Sequence, residues 1–411
     1  MKKYLESNIS LIIKVFLFIQ PIIDILTSIM INYMNINITI GMIIRIIFLL
    51  FIIYFYLFVR KNISKYKLFY LLGVLLFFIM YLIVIIVLKD TSVLFYELSQ
   101  MIKVLYFPIL LTLIDKKDID IKINDLINIS IIYLVLILIP NILNISFNSY
   151  TQGKIGSVGL FNSGNEISAI MSMLTPFIIY YLFNKNNNIK KIILVLLMAL
   201  TYFKMGSKII IISLIVSIIF NIILIIKKSK VSKEKLLIGV LISIGLIIIT
   251  IIVLPRTNFF YNIKLHLDYL GINSFTDIFT FNFINRFIFS DRLTFLVMTS
   301  AYYFHSSFAE AMFGLGFIHN YATDLVSLKL IEMDFFDVLF NMGVCGFILV
   351  LYPLAKEIYD IFKVKKNNLV IFVSILSIII AFLVGHTIVS PAVSIFLIIV
   401  LKLNKEKESK K

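Results

Sequence analysis

The chain has 411 residues, 61% of them hydrophobic and only 15% charged, with a mean hydropathy of +1.05. A soluble domain is about 45–50% apolar and about 25% charged, so these values exclude an ordinary soluble enzyme, a secreted domain and a disordered chain. A single cysteine, Cys345, excludes a disulfide framework and Cys-based metal centres, and the net charge of +16 reads as the loop bias of a multispanning membrane protein rather than a nucleic-acid footprint.

A span needs roughly 20 apolar residues. Runs between charged breaks predict about twelve transmembrane helices, near 9–31, 39–59, 68–88, 94–114, 126–145, 161–183, 190–203, 209–226, 236–254, 335–354, 369–387 and 389–401. The last two are divided only by a break around Gly385, His386, Ser390 and Pro391. With the N-terminus inside, the Lys and Arg residues collect on the inner side. Nine fall outside: Lys89, Lys154, Lys204, Lys208, Arg256, Lys264, Arg286, Arg292 and Lys329. Lys14, Arg45 and Lys103 fall within spans. The expectation is an all-α integral membrane protein of the cell membrane with both termini cytoplasmic. The first apolar run is long enough to span and carries no signal-peptide cleavage site.

Three regions follow: 1–254 with nine spans, 255–334 as one large external loop with short amphipathic helices, and 335–411 with three spans and a basic tail. An ordered connection of that length is usually functional. Nine phenylalanines between Phe259 and Phe295 suit a segment lying against the bilayer surface, and a plain interfacial anchor explains them equally. Ser290-Asp291-Arg292 precedes a helical-looking run from Leu293 to Phe313, with Ser290 or Asp291 as its N-cap and Gly314-Leu-Gly316 as its stop. His319-Asn320 and Glu332-Met-Asp334 follow. An arginine, a histidine and carboxylates thus gather at the outer face, although each alone also reads as a bystander or a helix cap.

Ionisable residues inside spans are costly and often functional. Asp24 and Arg45 lie at similar depth on sequential spans and are placed to pair; Glu97, Lys103 and Glu166 also sit in the outer half, and Lys14 is placed to snorkel inward. Lys204-Met-Gly-Ser-Lys208 puts two cations on a tight external turn. They fit an anion site or a plain membrane boundary.

Gly206-Ser207-Lys208, Ser290-Asp291-Arg292 with Phe313-Gly-Leu-Gly316, His319-Asn320 with Glu332-Met-Asp334 and Gly343-Val-Cys-Gly346, and Gly159-Leu-Phe-Asn162 with Asn165-Glu166 resemble the O-antigen ligase/polymerase family. The sequence has Lys208 where that family usually has arginine, and it contains no Trp. The resemblance implies metal-independent glycosyl transfer on the outer face, without cofactor, from a polyprenyl-diphosphate-linked glycan to an acceptor hydroxyl. It assigns Arg292, Lys208, Lys204 and Arg45 to the diphosphate. It assigns His319 to proton transfer, and Glu332, Asp334, Asn320, Asn165 and Glu166 to the acceptor or to orienting the histidine. His266, His305 and His386 lie outside it. The implied partners are the lipid-linked donor, the glycan acceptor, membrane lipids and other polysaccharide-assembly proteins, with no nucleic acid. Polymerisation of repeat units is the preferred reading. Ligation of a finished glycan is the alternative, and a flippase of lipid-linked oligosaccharide is the rival class.

Overall fold

The computed structural model describes residues 2–34, 39–60, 63–88, 91–148, 156–184, 188–227, 283–318, 330–363 and 367–403, with Tyr261, Lys264, Leu265, Asp268, Thr280 and Phe281 singly. The predicted ninth span, most of 255–282, His319 and Asn320 lie outside the described residues.

Thirteen α-helices are described: α1 (Lys2–Met34), α2 (Ile40–Tyr54), α3 (Lys65–Leu88), α4 (Leu94–Leu113), α5 (Ile123–Ile142), α6 (Gly164–Asn184), α7 (Asn188–Met205), α8 (Lys208–Lys227), α9 (Arg292–Phe304), α10 (Phe308–Phe313), α11 (Asp334–Lys363), α12 (Asn368–Leu383) and α13 (Pro391–Lys402). π-helical turns extend α2 over Phe55–Val59 and precede α9 over Phe283–Ile288. No strand occurs among the described residues; Asn148 and Ser157 form one isolated bridge. Seven helical stretches are long and apolar enough to cross a membrane: Tyr4–Met34, Ile40–Val59, Lys65–Val87, Thr91–Leu113, Ile123–Ile142, Gly164–Asn184 and Asp334–Lys363. Shorter apolar stretches are Lys208–Leu224, Asn368–Leu383 and Pro391–Lys402. The chain is a multi-pass membrane protein.

The surface explains why this composition folds. Phe69 is 68% exposed, Leu76 64% and Val87 73%, all on α3. Water would penalise such a helix, whereas lipid tails solvate it as well as a protein core does. Inside the bundle, polar side chains close their hydrogen bonds locally. Ser130, Ser374 and Ser377 donate to the carbonyls of Leu126, Val370 and Val373, one turn back.

One local reading changes. The run from Leu293 to Phe313 is not one helix, because α9 ends at Phe304 and Ser307 restarts the chain as the cap of α10 in a reciprocal box with Glu310. Asp291 does occupy the N-cap of α9, but in left-handed backbone (φ 66°) and without a side-chain capping bond. Lys14 Nζ pairs with Asp125 Oδ2 at 2.9 Å, at the start of α5.

Gly343 interrupts α11 with φ 66° and ψ −175°. The kink lets the Asn341 and Phe340 carbonyls accept from Gly316 and Leu315, so α11 holds the turn after α10. A Cβ on Gly343 would overlap the backbone of Met312 and Gly314. Gly343→Ala should therefore lower the thermal midpoint of the purified protein, at roughly 1–3 kcal/mol for the strained backbone alone. Gly73→Ala, which meets nothing within 4 Å, should leave that midpoint unchanged or raise it.

Candidate active site

Helix α13 is the centre of the bundle. All twelve of its residues are buried, and it packs on α1, α2, α4, α6, α11 and α12. Twelve residues rise about 18 Å, little more than half of a hydrocarbon core of about 30 Å. The space continuing its axis holds the α12–α13 break and a cavity of about 340 Å³. The cavity draws Asp24 and Thr27 from α1, Gly41 and Arg45 from α2, Gln100 and Lys103 from α4, and Glu166 from α6. Phe317, Leu330, Asp337, Asn341, His386 and Ser390 complete its wall. Val389 to Ala392 also line it, so the N-terminal end of α13 borders the space, and the positive end of the helix dipole favours an anion there.

The predicted pair of Asp24 and Arg45 forms at 2.5 Å. Arg45 also donates from Nε and Nη2 to Gln20 Oε1 at 3.0 and 2.8 Å. An unpaired guanidinium at this depth would cost several kcal/mol, so Gln20 and Asp24 together make its burial tolerable. Close approach needs Gly41, where a Cβ would stand 2.7 Å from Thr27 Oγ1 and 2.9 Å from Arg45 Nη1. Lys103 differs. Its Nζ donates to Gln100 Oε1 at 3.3 Å, and no carboxylate among the described residues lies within salt-bridge distance. It is the cavity cation with the least compensation.

Three buried carboxylates hold the irregular segments around the cavity. Glu97 accepts from the backbone N–H of Phe317 at 2.8 Å and of Ile318 at 2.9 Å, and from the Tyr81 hydroxyl at 2.7 Å. Asp337 accepts from Ile331 and Met333 N–H, both at 3.0 Å. Asp334 Oδ2 accepts from Thr387 and Ile388 N–H at 2.8 and 2.6 Å. Asp334 is thus engaged with backbone, while His386, one residue before its partners, is left in left-handed conformation (φ 61°) at the cavity wall.

A string of polar contacts leads away from His386. Its Nε2 lies 3.4 Å from Asn165 Nδ2, which donates at 3.4 Å to Glu332 Oε2, and Glu332 pairs with Arg292 Nη2 at 3.0 Å. The Ser390 hydroxyl donates to Glu166 Oε1 at 2.5 Å. Five residues read from the sequence, Asn165, Glu166, Arg292, Glu332 and Asp334, are therefore connected at one end of the bundle, the end that also holds Arg45. Lys204 is exposed and Lys208 half-buried at the α7–α8 turn, and neither lines the cavity. His319 and Asn320 lie outside the described residues, directly after the Phe317–Ile318 segment that Glu97 anchors. The sequence reading gave no role to His386, Lys103 or Asp337, although it placed Lys103 among the ionisable residues of the outer half. The signal for the first was a histidine, preceded by glycine, between two apolar runs; for the second, a lysine inside a span.

The profile of a family described as O-antigen ligase like membrane protein matches residues 7–275 and 281–404. The chain belongs to this family. Membership carries a membrane glycan-transfer function and a glycosyltransferase-type enzyme. No curated relative matches the chain.

Each carboxylate should protect its own segment. A hydrogen bond to a charged acceptor contributes about 1.5–3 kcal/mol, roughly 10- to 100-fold in exchange protection. Asp334→Ala should lose that protection at Thr387 and Ile388 and keep it at Phe317 and Ile318, and Glu97→Ala should do the reverse. Hydrogen-exchange mass spectrometry of both variants reads this, and uniform loss in either would reject separate clamps.

Proposed function

We propose that the cavity end faces the outside of the cell and transfers a glycan from a polyprenyl diphosphate to an acceptor hydroxyl, extending a surface polysaccharide. One observation carries this reading: in a chain of this family, Arg45, Lys103, His386 and a helix N-terminus meet in one cavity walled by lipid-exposed apolar helices. The polyprenyl tail then lies along the bundle surface while the diphosphate enters the cavity.

In the proposed reaction the acceptor oxygen attacks the anomeric carbon. The bond from that carbon to the diphosphate oxygen breaks, and the diphosphate leaves with the bonding electrons. Its growing charge is met by Lys103, the residue with spare donors, and by Arg45 behind it, so positive charge comes from side chains. Arg292, held by Glu332, serves the same group from the α9 side. The acceptor proton passes to a histidine. His386 borders the cavity, and His319 stands two residues after Phe317 in the sequence; these are the two candidates. Glu166, already bound to Ser390, and Asn165 orient the acceptor. Ligation to a different acceptor uses the same steps and differs only in what enters second.

Purified protein given a lipid-linked repeat unit should release polyprenyl diphosphate. Lys103→Ala and Arg292→Ala should each slow release by roughly 3 kcal/mol in transition-state stabilisation, about 100-fold. Loss of the catalytic histidine should slow it about 10²–10⁴-fold. His386→Ala and His319→Ala, each with donor binding retained, decide which histidine accepts the proton. Full rates in both would remove histidine from the mechanism, and a full rate in Lys103→Ala would remove the cavity from diphosphate binding.

Orientation has its own test. In a Cys345→Ser background, a membrane-impermeant thiol reagent applied to intact cells should label Ser92→Cys, at the cavity end, and spare Lys65→Cys, at the opposite end. The reverse pattern would invert the assignment.

A further inference from the structure

The end of the bundle opposite the candidate active site holds a second cavity, of about 470 Å³, between α3, the α4–α5 turn, α11 and the last residue of α13. Five lysines line it, Lys67, Lys116, Lys117, Lys356 and Lys402, against three carboxylates, Asp115, Glu357 and Asp360. Glu357 receives Lys402 at 2.5 Å and Lys116 at 3.2 Å; Asp115 receives Lys67 at 2.7 Å and Arg60 at 2.9 Å; Asp360 lies 3.8 Å from Lys116. Asp118 faces Arg60 rather than the cavity. The acids are consumed by Lys67, Lys116 and Lys402. Neither Lys117 nor Lys356 has a carboxylate within salt-bridge distance among the described residues, and Lys356 Nζ rests 3.3 Å above the Tyr66 ring.

Two of the lining lysines are buried, Lys402 at 4% and Lys67 at 8% exposure. An ammonium has three donors. Among the described residues Lys402 Nζ makes one hydrogen bond, to Glu357 Oε1, so the buried cation retains donor capacity at the wall of an open cavity. A built, net-positive recess with buried donors suits a phosphate oxygen cluster.

We infer that this cavity binds the phosphodiester headgroup of an anionic phospholipid. The lipid source is favoured over free phosphate because exposed apolar side chains stand beside the lining residues on the same two helices, α3 and α11. Phe69 on α3 is 68% exposed, and Tyr352 and Tyr359 on α11 are 53% and 63% exposed. The pairing of Tyr66 with Tyr352 at 6.1 Å joins the two helices beside the mouth. A headgroup in the recess would leave its acyl chains lying on this surface, and a free anion would have no use for it. Basic recesses between spanning helices are known physical hosts for such headgroups. The site does not depend on the glycosyl-transfer reading.

The test is thermal unfolding of the full-length purified protein in detergent, titrated with phosphatidylglycerol, cardiolipin, phosphatidylcholine or inorganic phosphate. Phosphatidylglycerol or cardiolipin should raise the midpoint of the wild type, and phosphatidylcholine should not. Lys117→Gln/Lys356→Gln should bind anionic lipid roughly 30-fold more weakly, about fivefold for each lysine removed. Lys65→Gln/Lys363→Gln makes the same charge change at the same end outside the cavity and should bind as the wild type does. Equal weakening in both double variants would mean general surface attraction and overturn the site. An equal shift with inorganic phosphate would overturn the lipid assignment, and no anionic-lipid shift in the wild type would overturn both.

Discussion

The cavity end depends on one constraint: backbone that leaves the helix at membrane depth must find internal hydrogen-bond partners. Helices α2, α6, α11 and α13 begin and α12 ends around the cavity, and the connections among them expose N–H groups that water would otherwise satisfy. Buried carboxylates take that place. Asp334 closes the α12–α13 break, Asp337 closes the approach to α11, and Glu97 closes the segment after Gly316. Each carboxylate accepts at least two N–H bonds, which compensates a charge that burial alone would make costly. Because the carboxylates sit on long helices, the irregular segments inherit a fixed position from regular ones.

The same arrangement explains why a helix of only twelve residues lies at the centre. A full-length central helix would fill the bundle and leave no room for a ligand. Stopping α13 at Pro391 makes a polar cavity inside an apolar bundle and turns a helix N-terminus toward it. Pro391 at the first helical position loses nothing by lacking an N–H, since that group would be unpaired anyway. The left-handed Gly385 and His386 supply the turn. At Gly385 a Cβ would meet the Glu332 carbonyl oxygen at 2.5 Å, so the break and the α11 approach are packed backbone to backbone.

Much of the fold was legible because spans are written locally. Apolar runs marked the long helices, and depth counting paired Asp24 with Arg45 across a short turn. The division between α9 and α10 was also written locally, since Ser307 and Glu310 stand at capping-box spacing, but an apolar period running through them masked it. The site was only half legible. Arg292, Glu332, Asn165 and Glu166 carry recognisable motifs. His386 and Glu97 do not, because their roles rest on partners 221 and 220 residues away in sequence. Hydrophobic period reports which face of a helix is buried and says nothing about which distant helix covers it.

The two ends of the bundle use charge in opposite ways. At the far end, Arg60, Asp115, Asp118, Lys67, Lys116, Glu357 and Lys402 form short ion pairs that join α3, α4, α11 and α13. Such pairs fix helix register more than they add stability, because desolvation offsets most of the attraction. At the cavity end Glu97, Asp334 and Asp337 turn instead to backbone, Asp24 and Glu332 pair with Arg45 and Arg292, and Lys103 is left with less compensation. Among the described residues Lys103 has only a 3.3 Å bond to Gln100, and one edge of Arg292, its Nε, is buried without a hydrogen-bond partner. Stability alone would favour pairing these groups as fully as those of the far end. An apolar bundle that keeps under-compensated cations beside a cavity holds them at a free-energy cost that a bound anion would offset, and that asymmetry supports the proposal that substrate enters at this end.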